Sequence, residues 1–171
     1  MTAADHHRPI VETPLAHKTR SLVWTNEADT EAFAQQLAAR PEIANAFISL
    51  HGDLGAGKTT LVRHLLRALG VQGRIKSPTY AVVEPHEAGA LAIWHFDFYR
   101  FSDPREWEDA GFRELFANPG LKLAEWPEKA AGLLPPADLA IHIEATNDTE
   151  RRASLAAGTA LGEQLLQGLH P

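Results

Sequence analysis

The sequence predicts a three-layer α/β fold whose central sheet is mixed and partly antiparallel. Short apolar runs of strand length alternate along the chain with segments whose apolar residues recur at helical spacing. The apolar run ANAFISL is followed by a glycine-rich turn and a helical pattern, as at the start of a βαβ unit. Two later runs are joined by the turn-prone HEAGA, which indicates an antiparallel hairpin.

Length and composition are those of one globular domain. The chain has 171 residues, 44% of them hydrophobic and 22% charged, which is enough for one core and too little to favour two. Residues 1–20 carry two prolines, mixed charge and no periodicity, so we expect a flexible extension before a single domain over 21–171. No apolar leader or stretch of roughly 20 apolar residues is present, which predicts a cytoplasmic protein without membrane contact.

The charge balance and the missing cysteines exclude several classes of protein. Lys and Arg number 16 against 22 Asp and Glu, a net charge of -6, so any contact with nucleic acid is expected to be local or shared. The absence of cysteine excludes a disulfide scaffold, thiol catalysis and a zinc ribbon. The nine histidines show no metal-ligand spacing.

The first half of the chain predicts strand, helix, strand and helix. SLVW begins a strand, and Asn26 caps an amphipathic helix that continues up to Pro41. ANAFISL has the length of a buried central strand. After the glycine turn, apolar residues at i, i+1, i+4, i+5 and i+8 from Leu61 form one stripe of a second helix, which Gly70 terminates.

The second half predicts a hairpin, short helices and further strands. IKSPTYAVVEP is a loop that leads into a strand, and LAIWHFDFYR is the hairpin partner of that strand. SDPREWEDAGFRELF, with Ser102 as a candidate cap and Pro104 near the first turn, predicts one broken helix or two short ones. LKLAEW, DLAIHIEA and RRASLAA predict strands, and ALGEQLLQGL predicts a closing helix.

The turn before the second helix carries a phosphate-binding pattern. Gly52, Gly57, Lys58 and Thr59 match G-x-x-x-x-G-K-[ST], with Gly55 as a further glycine inside it. Glycines let successive backbone N–H groups turn toward a phosphate, while the lysine and the helix N-terminus add positive charge. The threonine hydroxyl is a ligand for Mg²⁺. The pattern predicts a nucleotide-phosphate site on a P-loop NTPase-like fold.

Two acidic residues at strand ends are candidates for chemistry beside this loop. In WHFDFYR the aromatic residues alternate with His95, Asp97 and Tyr99, so one face is available for packing and the other for chemistry. LKLAEW brings Glu125 to the end of another strand. A P-loop needs such an acid to hold magnesium or to orient water. The structural alternative for Asp97 is a pairing with Arg100 or with a backbone amide.

Several neighbouring residues have less specific patterns. The SPT tripeptide stands where P-loop switch proteins keep a loop that senses the γ-phosphate. Trp126 is a candidate cover for the adenine ring, with a place in the core as the alternative. The predicted switch or partner contacts are Ser77, Pro78, Thr79, His95, Tyr99 and Arg100. A partly buried, hydrogen-bonded position is the alternative for His95.

The same loop occurs in other classes of nucleotide-binding protein. WEDAG is similar to the D-x-x-G switch of GTPases, but Glu108 holds the place of the aspartate, and no N-K-x-D is present to read guanine. A small-molecule kinase remains an alternative, although the arginines between Arg63 and Arg113 are spread out and not clustered as in a lid. A nucleotide-sensing interaction module without useful turnover is a third possibility.

Four motifs together resemble the bacterial TsaE (YjeE) family, the P-loop ATPases of tRNA threonylcarbamoyladenosine biosynthesis. They are GDLGAGKTT, KSPTY with VVEP, HFDFYR and AEWPEK, in this order and at family-like spacing. The resemblance covers about residues 45–145, and weakly the helix before them. The chain departs from the family in its long N-terminal tail and in the stretch SLAAGTALGE.

The resemblance implies a slow, partner-dependent ATPase that uses ATP and Mg²⁺. Its implied partners are the TsaD and TsaB proteins, and transfer of the threonylcarbamoyl group to tRNA belongs to TsaD. ATP hydrolysis would support turnover of that complex, and the chain would reach tRNA only indirectly, through the complex.

The resemblance also implies roles for residues at the phosphate end of the site. Residues 55–60 would form the phosphate cradle, with Thr59 and Glu125 as the magnesium contacts. Lys58, Asp97 and Glu125 are the predicted catalytic residues, with Asp97 orienting water and Glu125 as the alternative for that role.

Other nucleotide contacts come from both ends of the chain. Glu27 lies where the family contacts nucleotide, and Arg151 or Arg152 would contact it from the C-terminal side. The predicted nucleotide-binding set is Glu27, Asp53, Gly55, Ala56, Gly57, Lys58, Thr59, Thr60, Asp97 and Trp126.

Overall fold

Seven strands and five α-helices make up the described part of the protein. The computed structural model describes residues 18–78, 81–109 and 111–170. The strands are β1 (Thr19–Trp24), β2 (Phe47–His51), β3 (Val83–Ala88), β4 (Leu91–Asp97), β5 (Leu121–Glu125), β6 (Leu139–Ala145) and β7 (Arg151–Ala157). The helices are α1 (Glu27–Ala38), α2 (Lys58–Leu69), α3 (Pro104–Asp109), α4 (Phe112–Ala117) and α5 (Ala160–Gln167), and 3₁₀ turns cover Pro41–Asn45 and Pro127–Ala130.

All seven strands form one mixed sheet in the order β1-β7-β6-β2-β5-β4-β3. The central strand β2 runs parallel to both of its neighbours, β5 and β6, and β4 runs parallel to β5. The outer pairs β3–β4, β6–β7 and β1–β7 are antiparallel. The predicted mixed sheet, with its hairpin around HEAGA, is therefore confirmed.

Helices on the two faces of the sheet bury two separate apolar clusters. On one face α1, α2 and α5 contribute Phe33, Leu65 and Leu166 to the larger cluster. On the other face α3 and α4 pack Trp107 and Phe112 against aromatic residues of β4 and the residues after it. Removal of this apolar surface from water is the main stabilising term for the three layers.

Local signals in the sequence explain most element boundaries. The Oδ1 atom of Asn26 accepts a hydrogen bond from the Asp29 N–H at 3.1 Å, so the predicted cap at the start of α1 is confirmed. Gly70 adopts φ 102° and ends α2 as predicted. The segment after Ser102 forms two short helices, which is one of the two predicted outcomes, with Gly111 at φ 68° before the second.

Other boundaries differ from the prediction. α1 ends at Ala38, before the predicted end at Pro41. Pro41 and Pro127 each begin a 3₁₀ turn, because the first residues of a helix need no intrahelical partner for their N–H groups and proline has no N–H. β1 begins at Thr19, inside the predicted extension, because its edge pairs with β7. Residues 1–17 of that extension lie outside the described residues. Within the described ranges, no helix is both long and apolar enough to cross a bilayer.

Candidate functional site

The glycine-rich turn joins the end of β2 to the start of α2 and follows a path that only glycine tolerates. Gly52, Gly55 and Gly57 have φ of 148°, 78° and 109°, in the region that other residues rarely adopt. A Cβ atom at Gly52 would lie 2.4 Å from the backbone oxygen of Ile143 on β6. The turn therefore has the backbone shape of an anion-binding nest at the N-terminus of a helix.

Lys58 is folded back into this loop. Its Nζ donates hydrogen bonds to the backbone oxygens of Gly52 and Asp53, the latter at 3.4 Å, and lies 3.8 Å from the ring centroid of Trp126. The residue is only 5% exposed, and this burial lowers the pKa of its ammonium group against the opposing effect of Glu125. The charge is thus held at the loop by neutral oxygens and an aromatic face.

Thr59, Glu125 and His95 form a hydrogen-bonded chain beside the loop. The Thr59 hydroxyl donates to Glu125 Oε1 at 2.8 Å, and Glu125 Oε2 lies 2.6 Å from His95 Nε2. Glu125 and His95 are 3% and 1% exposed. His95 Nδ1 is buried without a partner among the described residues, so the geometry assigns the proton to Nε2. Both carboxylate oxygens of Glu125 are engaged in this chain.

Asp97 lies next to Glu125, because the ends of the parallel strands β4 and β5 pair these two residues. Its Oδ1 accepts a hydrogen bond from the Tyr99 N–H at 2.9 Å, the backbone-amide pairing that we gave as the structural alternative. Partial burial raises the pKa of Asp97, and the nearby Glu125 adds to the rise, while the Tyr99 N–H lowers it. The same carboxyl group also lines the cavity above the loop.

Two adjoining cavities meet at the loop. The first, of about 360 Å³, is lined by Lys58, Thr59, Asp97, Glu125 and Trp126. The second, of about 260 Å³, lies on the side of β1 and α1 and is lined by Trp24, Asn26, Glu27, Thr30, Ile143, Asp148 and Thr149. Ala56, Gly57, Thr60 and Arg151 line both. The loop therefore separates an end that holds Lys58, Thr59 and two strand-end carboxylates from an end formed by β1, α1 and the β6–β7 turn.

Arg151 connects the two cavities, whereas Arg152 does not reach either. Arg151 Nε donates to the backbone oxygen of Ala56 at 2.9 Å, and Nη1 donates to the backbone oxygens of Asn147 and Glu150. The next residue points to the opposite face of the sheet, as successive residues of a strand do, and lines a cavity behind the loop. Of the two predicted arginines, Arg151 is the one at the site.

The structure separates the other predicted site residues into three places. Trp126 lies in the first cavity, against Lys58, and Glu27 lies in the second cavity, where it contacts His64 at 2.9 Å. Ser77 and Pro78 line a smaller cavity that also contains Asp97, Tyr99 and Arg100. Thr79 lies outside the described residues.

Two predicted positions, His95 and Asp53, lie outside the lining of both cavities at the loop. For His95 the structure favours the hydrogen-bonded alternative over a switch or partner contact, since it is buried within β4 and bonded to Glu125. The alternation of the strand gives the face of a residue and not its depth. Asp53 contributes its backbone oxygen to Lys58 and is absent from the lining of both cavities at the loop. The aromatic alternation is otherwise confirmed, since Trp94, Phe96 and Phe98 pack in the smaller core cluster.

Sequence reasoning missed much of the second cavity. Its lining residues come from the end of β1 and from the turn between β6 and β7, which are more than a hundred residues apart in the chain. The pairing of Trp24 with Arg151 in the β1–β7 register brings them together. The polar turn TNDTE was the one local signal available. Trp107 and Glu108 of the GTPase-like WEDAG belong to α3 and line neither of these cavities.

The residues present fit a magnesium-bound nucleoside triphosphate. Three positive-φ glycines and a lysine suit phosphate oxygens, and a hydroxyl beside a carboxylate is the oxygen donor set that Mg²⁺ prefers. Among the described residues no group of three or more His, Cys, Asp or Glu side chains forms a metal cage.

Comparisons with known proteins identify the relatives of the chain. A model of the family described as Threonylcarbamoyl adenosine biosynthesis protein TsaE matches residues 24–153. The tRNA threonylcarbamoyladenosine biosynthesis protein TsaE of Haemophilus influenzae is 45% identical over 119 residues, which cover 70% of this chain and 75% of the relative. The protein of the same name from Bacillus subtilis is 35% identical over 140 residues, which cover 81% of this chain and 87% of the relative. The crystal structure of Bacillus subtilis YdiB superposes with a TM-score of 0.74 at 30% identity, covering 88% of this chain and 93% of that one.

Proposed function

The chain belongs to the TsaE family of tRNA threonylcarbamoyladenosine biosynthesis proteins, and from this premise we propose that it is the ATP-hydrolysing subunit of that machinery. It hydrolyses ATP slowly alone and faster with the TsaD and TsaB proteins, in the cytoplasm. Threonylcarbamoyl transfer is not its own reaction. Hydrolysis supports turnover of the transfer complex.

One observation carries the proposal. A P-loop lysine, a P-loop threonine and two strand-end carboxylates meet in one cavity, as hydrolysis of a nucleoside triphosphate requires. Lys58 would add a positive charge beside the transferred phosphoryl group once its ammonium group moves away from the backbone oxygens of the loop. A site that only stored a nucleotide would have no need of two carboxylates beside the triphosphate.

The two adjoining cavities support one orientation for a bound nucleotide. The triphosphate would lie in the cavity of Lys58 and Glu125, and the adenosine in the cavity of Trp24 and Glu27. In this orientation Trp126 covers the phosphate end and not the adenine ring, because it packs on Lys58. Arg151, which lines both cavities, would reach the nucleotide between base and phosphates.

The Thr59–Glu125 pair would hold Mg²⁺. When bound, the metal neutralises charge on the phosphate oxygens. Glu125 presents Oε1 toward Thr59, while its Oε2 is held by His95, so its orientation is fixed by a buried partner. This supports Glu125 as the metal-side acid.

Asp97 is the better candidate for orienting the attacking water. Both oxygens of Glu125 are engaged, whereas Asp97 has one oxygen on the Tyr99 N–H and lines the cavity. A raised pKa brings a carboxylate nearer to the range in which it accepts a proton. Glu125 remains the alternative for this role.

Exposed apolar side chains at the mouth of the cavity support regulation by a protein partner. Leu54, at the tip of the loop, is 71% exposed, and Tyr99, across the cavity, is 46% exposed. Large exposed apolar groups beside a site are typical of protein contacts. The cavity of Ser77, Pro78 and Asp97 would link the state of the nucleotide to this rim, as in a switch loop.

The test is ATP hydrolysis by the purified chain, alone and with TsaB and TsaD added. Stimulation by the partners supports the proposal. Transfer of phosphate to a metabolite, with no stimulation, would establish the small-molecule kinase instead. Bound ATP with no turnover under either condition would indicate a nucleotide-sensing module.

A further inference from the structure

Positive charge is concentrated in one segment of this acidic chain. Residues 54–83 contain no Asp or Glu, although the whole chain has 22, and they hold Lys58, Arg63, Arg67, Arg74 and Lys76. Lys58 is buried in the site, but the other four are exposed. We call Arg63, Arg67, Arg74 and Lys76 the basic strip.

The four cations lie on α2 and on the loop that follows it. Arg63 and Arg67 are four residues apart on α2, which puts them on the same face of the helix. Arg67 Nη1 donates to the backbone oxygen of Val71 at 3.1 Å, so this arginine is directed toward the loop that follows. In that loop Arg74 and Lys76 line one open cavity of about 540 Å³.

Most of this positive charge has no internal use. Arg63, Arg74 and Lys76 make no hydrogen bond or ion pair within the described ranges. Other cations of the chain do have such partners, for example Arg40 with Glu42 and Arg105 with Asp103. Glu84 is the acid that lines the cavity with the strip. Unpaired cations in a segment without acidic residues attract a polyanion.

We propose that the basic strip binds the phosphate backbone of RNA. This proposal rests on the proposed function, because the tRNA acted on in that pathway supplies the polyanion. Three of the four cations are arginines, whose guanidinium groups suit phosphate oxygens. The contact is local, as a net charge of -6 requires, and it is direct, in contrast to the contact through the complex that the resemblance implies.

The basic strip is adjacent in sequence to the segment that we propose responds to the nucleotide. Lys76 is followed directly by Ser77 and Pro78, which line the cavity that contains Asp97. RNA bound on the strip would therefore lie beside the segment proposed to respond to the nucleotide. Binding of RNA and binding of ATP are expected to influence each other's affinity.

The experiment measures binding of a fluorescently end-labelled tRNA transcript to the full chain by anisotropy, between 50 and 200 mM KCl. Three to four phosphate contacts predict that the association constant falls about 20- to 150-fold over this range. The triple variant Arg63→Gln, Arg74→Gln, Lys76→Gln should weaken binding at 50 mM KCl by about tenfold or more and flatten the salt dependence. The matched control is Arg105→Gln, Arg113→Gln, Lys129→Gln, which removes the same charge elsewhere and should bind like the wild-type chain.

Three outcomes would overturn the proposal. They are no binding of the transcript at 50 mM KCl, equal weakening in the triple variant and the control, or unchanged RNA binding with loss of stimulation by TsaB and TsaD. The last outcome would assign the strip to a protein partner. Partner-stimulated ATPase measured without tRNA separates the two proposals, because it tests the proposed function and does not depend on the strip.

Discussion

The hydroxyl of Thr59 donates a hydrogen bond of 2.8 Å to Glu125 Oε1, joining the first turn of α2 to the end of β5 across 66 residues of sequence. The hydroxyl belongs to the phosphate-binding loop, and the carboxylate to the strand beside β2. Two oxygen donors for one cation are therefore held together by the fold itself. Their arrangement does not depend on a ligand to bring them into contact.

The first prediction concerns the magnesium dependence that we propose for this pair. Glu125→Gln should raise the Mg²⁺ concentration needed for half-maximal ATPase by about tenfold or more, because a neutral amide is a weaker ligand than a carboxylate. Nucleotide binding measured in EDTA should change little. Thr59→Ala should resemble it, whereas Thr60→Ala, one residue along, should leave the Mg²⁺ dependence as it is. If Glu125→Gln also weakened nucleotide binding in the presence of EDTA, the result would argue against a metal role for this carboxylate.

His95 is expected to act through Glu125. His95→Leu leaves a buried carboxylate oxygen without its donor, so the free energy of unfolding should fall by about 1–3 kcal/mol and the Mg²⁺ dependence should shift upward. His95→Gln keeps an N–H donor and should recover part of both effects. Urea unfolding and Mg²⁺ titration measure them. Equal behaviour of the two variants in the Mg²⁺ titration would reduce His95 to a packing residue.

Gly52 should not tolerate a side chain. With φ of 148° and the Ile143 oxygen 2.4 Å from an added Cβ, Gly52→Ala must shift the loop or β6, and should lose about 1–3 kcal/mol of stability and most ATP binding. Gly55→Ala is the control for stability, since no atom lies within 4 Å of its added Cβ and only its φ of 78° opposes the change. Thermal unfolding compares the two, and a larger loss in Gly55→Ala would contradict the geometry.

The order of elements was predictable because each leaves a local pattern, such as the strand–glycine–helix sequence around Lys58 and the hairpin around HEAGA. The strand-end acids were found in the same way. Trp24 and Asp148 were not, because their position at the second cavity follows from the antiparallel β1–β7 pairing and not from their neighbours in sequence. The depth of His95 stayed open between two interpretations, because its partner Glu125 lies 30 residues away in the sequence.

Arg151 should contribute to nucleotide affinity. Arg151→Gln removes the charge-assisted bond to the Ala56 oxygen and a cation that lines both cavities, and should weaken ATP binding by about tenfold or more. Arg152→Gln removes the same charge from the next position, on the other face of β7, and should bind ATP like the wild-type chain. Calorimetric titration measures both. A stronger effect at Arg152 would place the nucleotide behind the loop.

Asp97→Asn separates catalysis from binding and from stability. If Asp97 orients water, the variant should lose about 10²–10⁴-fold in kcat with little change in KM, and the acid limb of the pH profile of kcat should disappear with it.

Partial burial raises the pKa of Asp97 above its usual 3.8, so the folded chain binds more protons than the unfolded chain between the two pKa values. Stability from this group is therefore full below about 3.8 and is lost as the pH rises through the folded pKa. At neutral pH the ionised carboxylate destabilises the fold, and the asparagine should raise Tm by about 2–4 °C or less, because solvent screens a half-buried group. Reduced Tm together with full kcat would show that Asp97 serves only as the acceptor of the Tyr99 N–H.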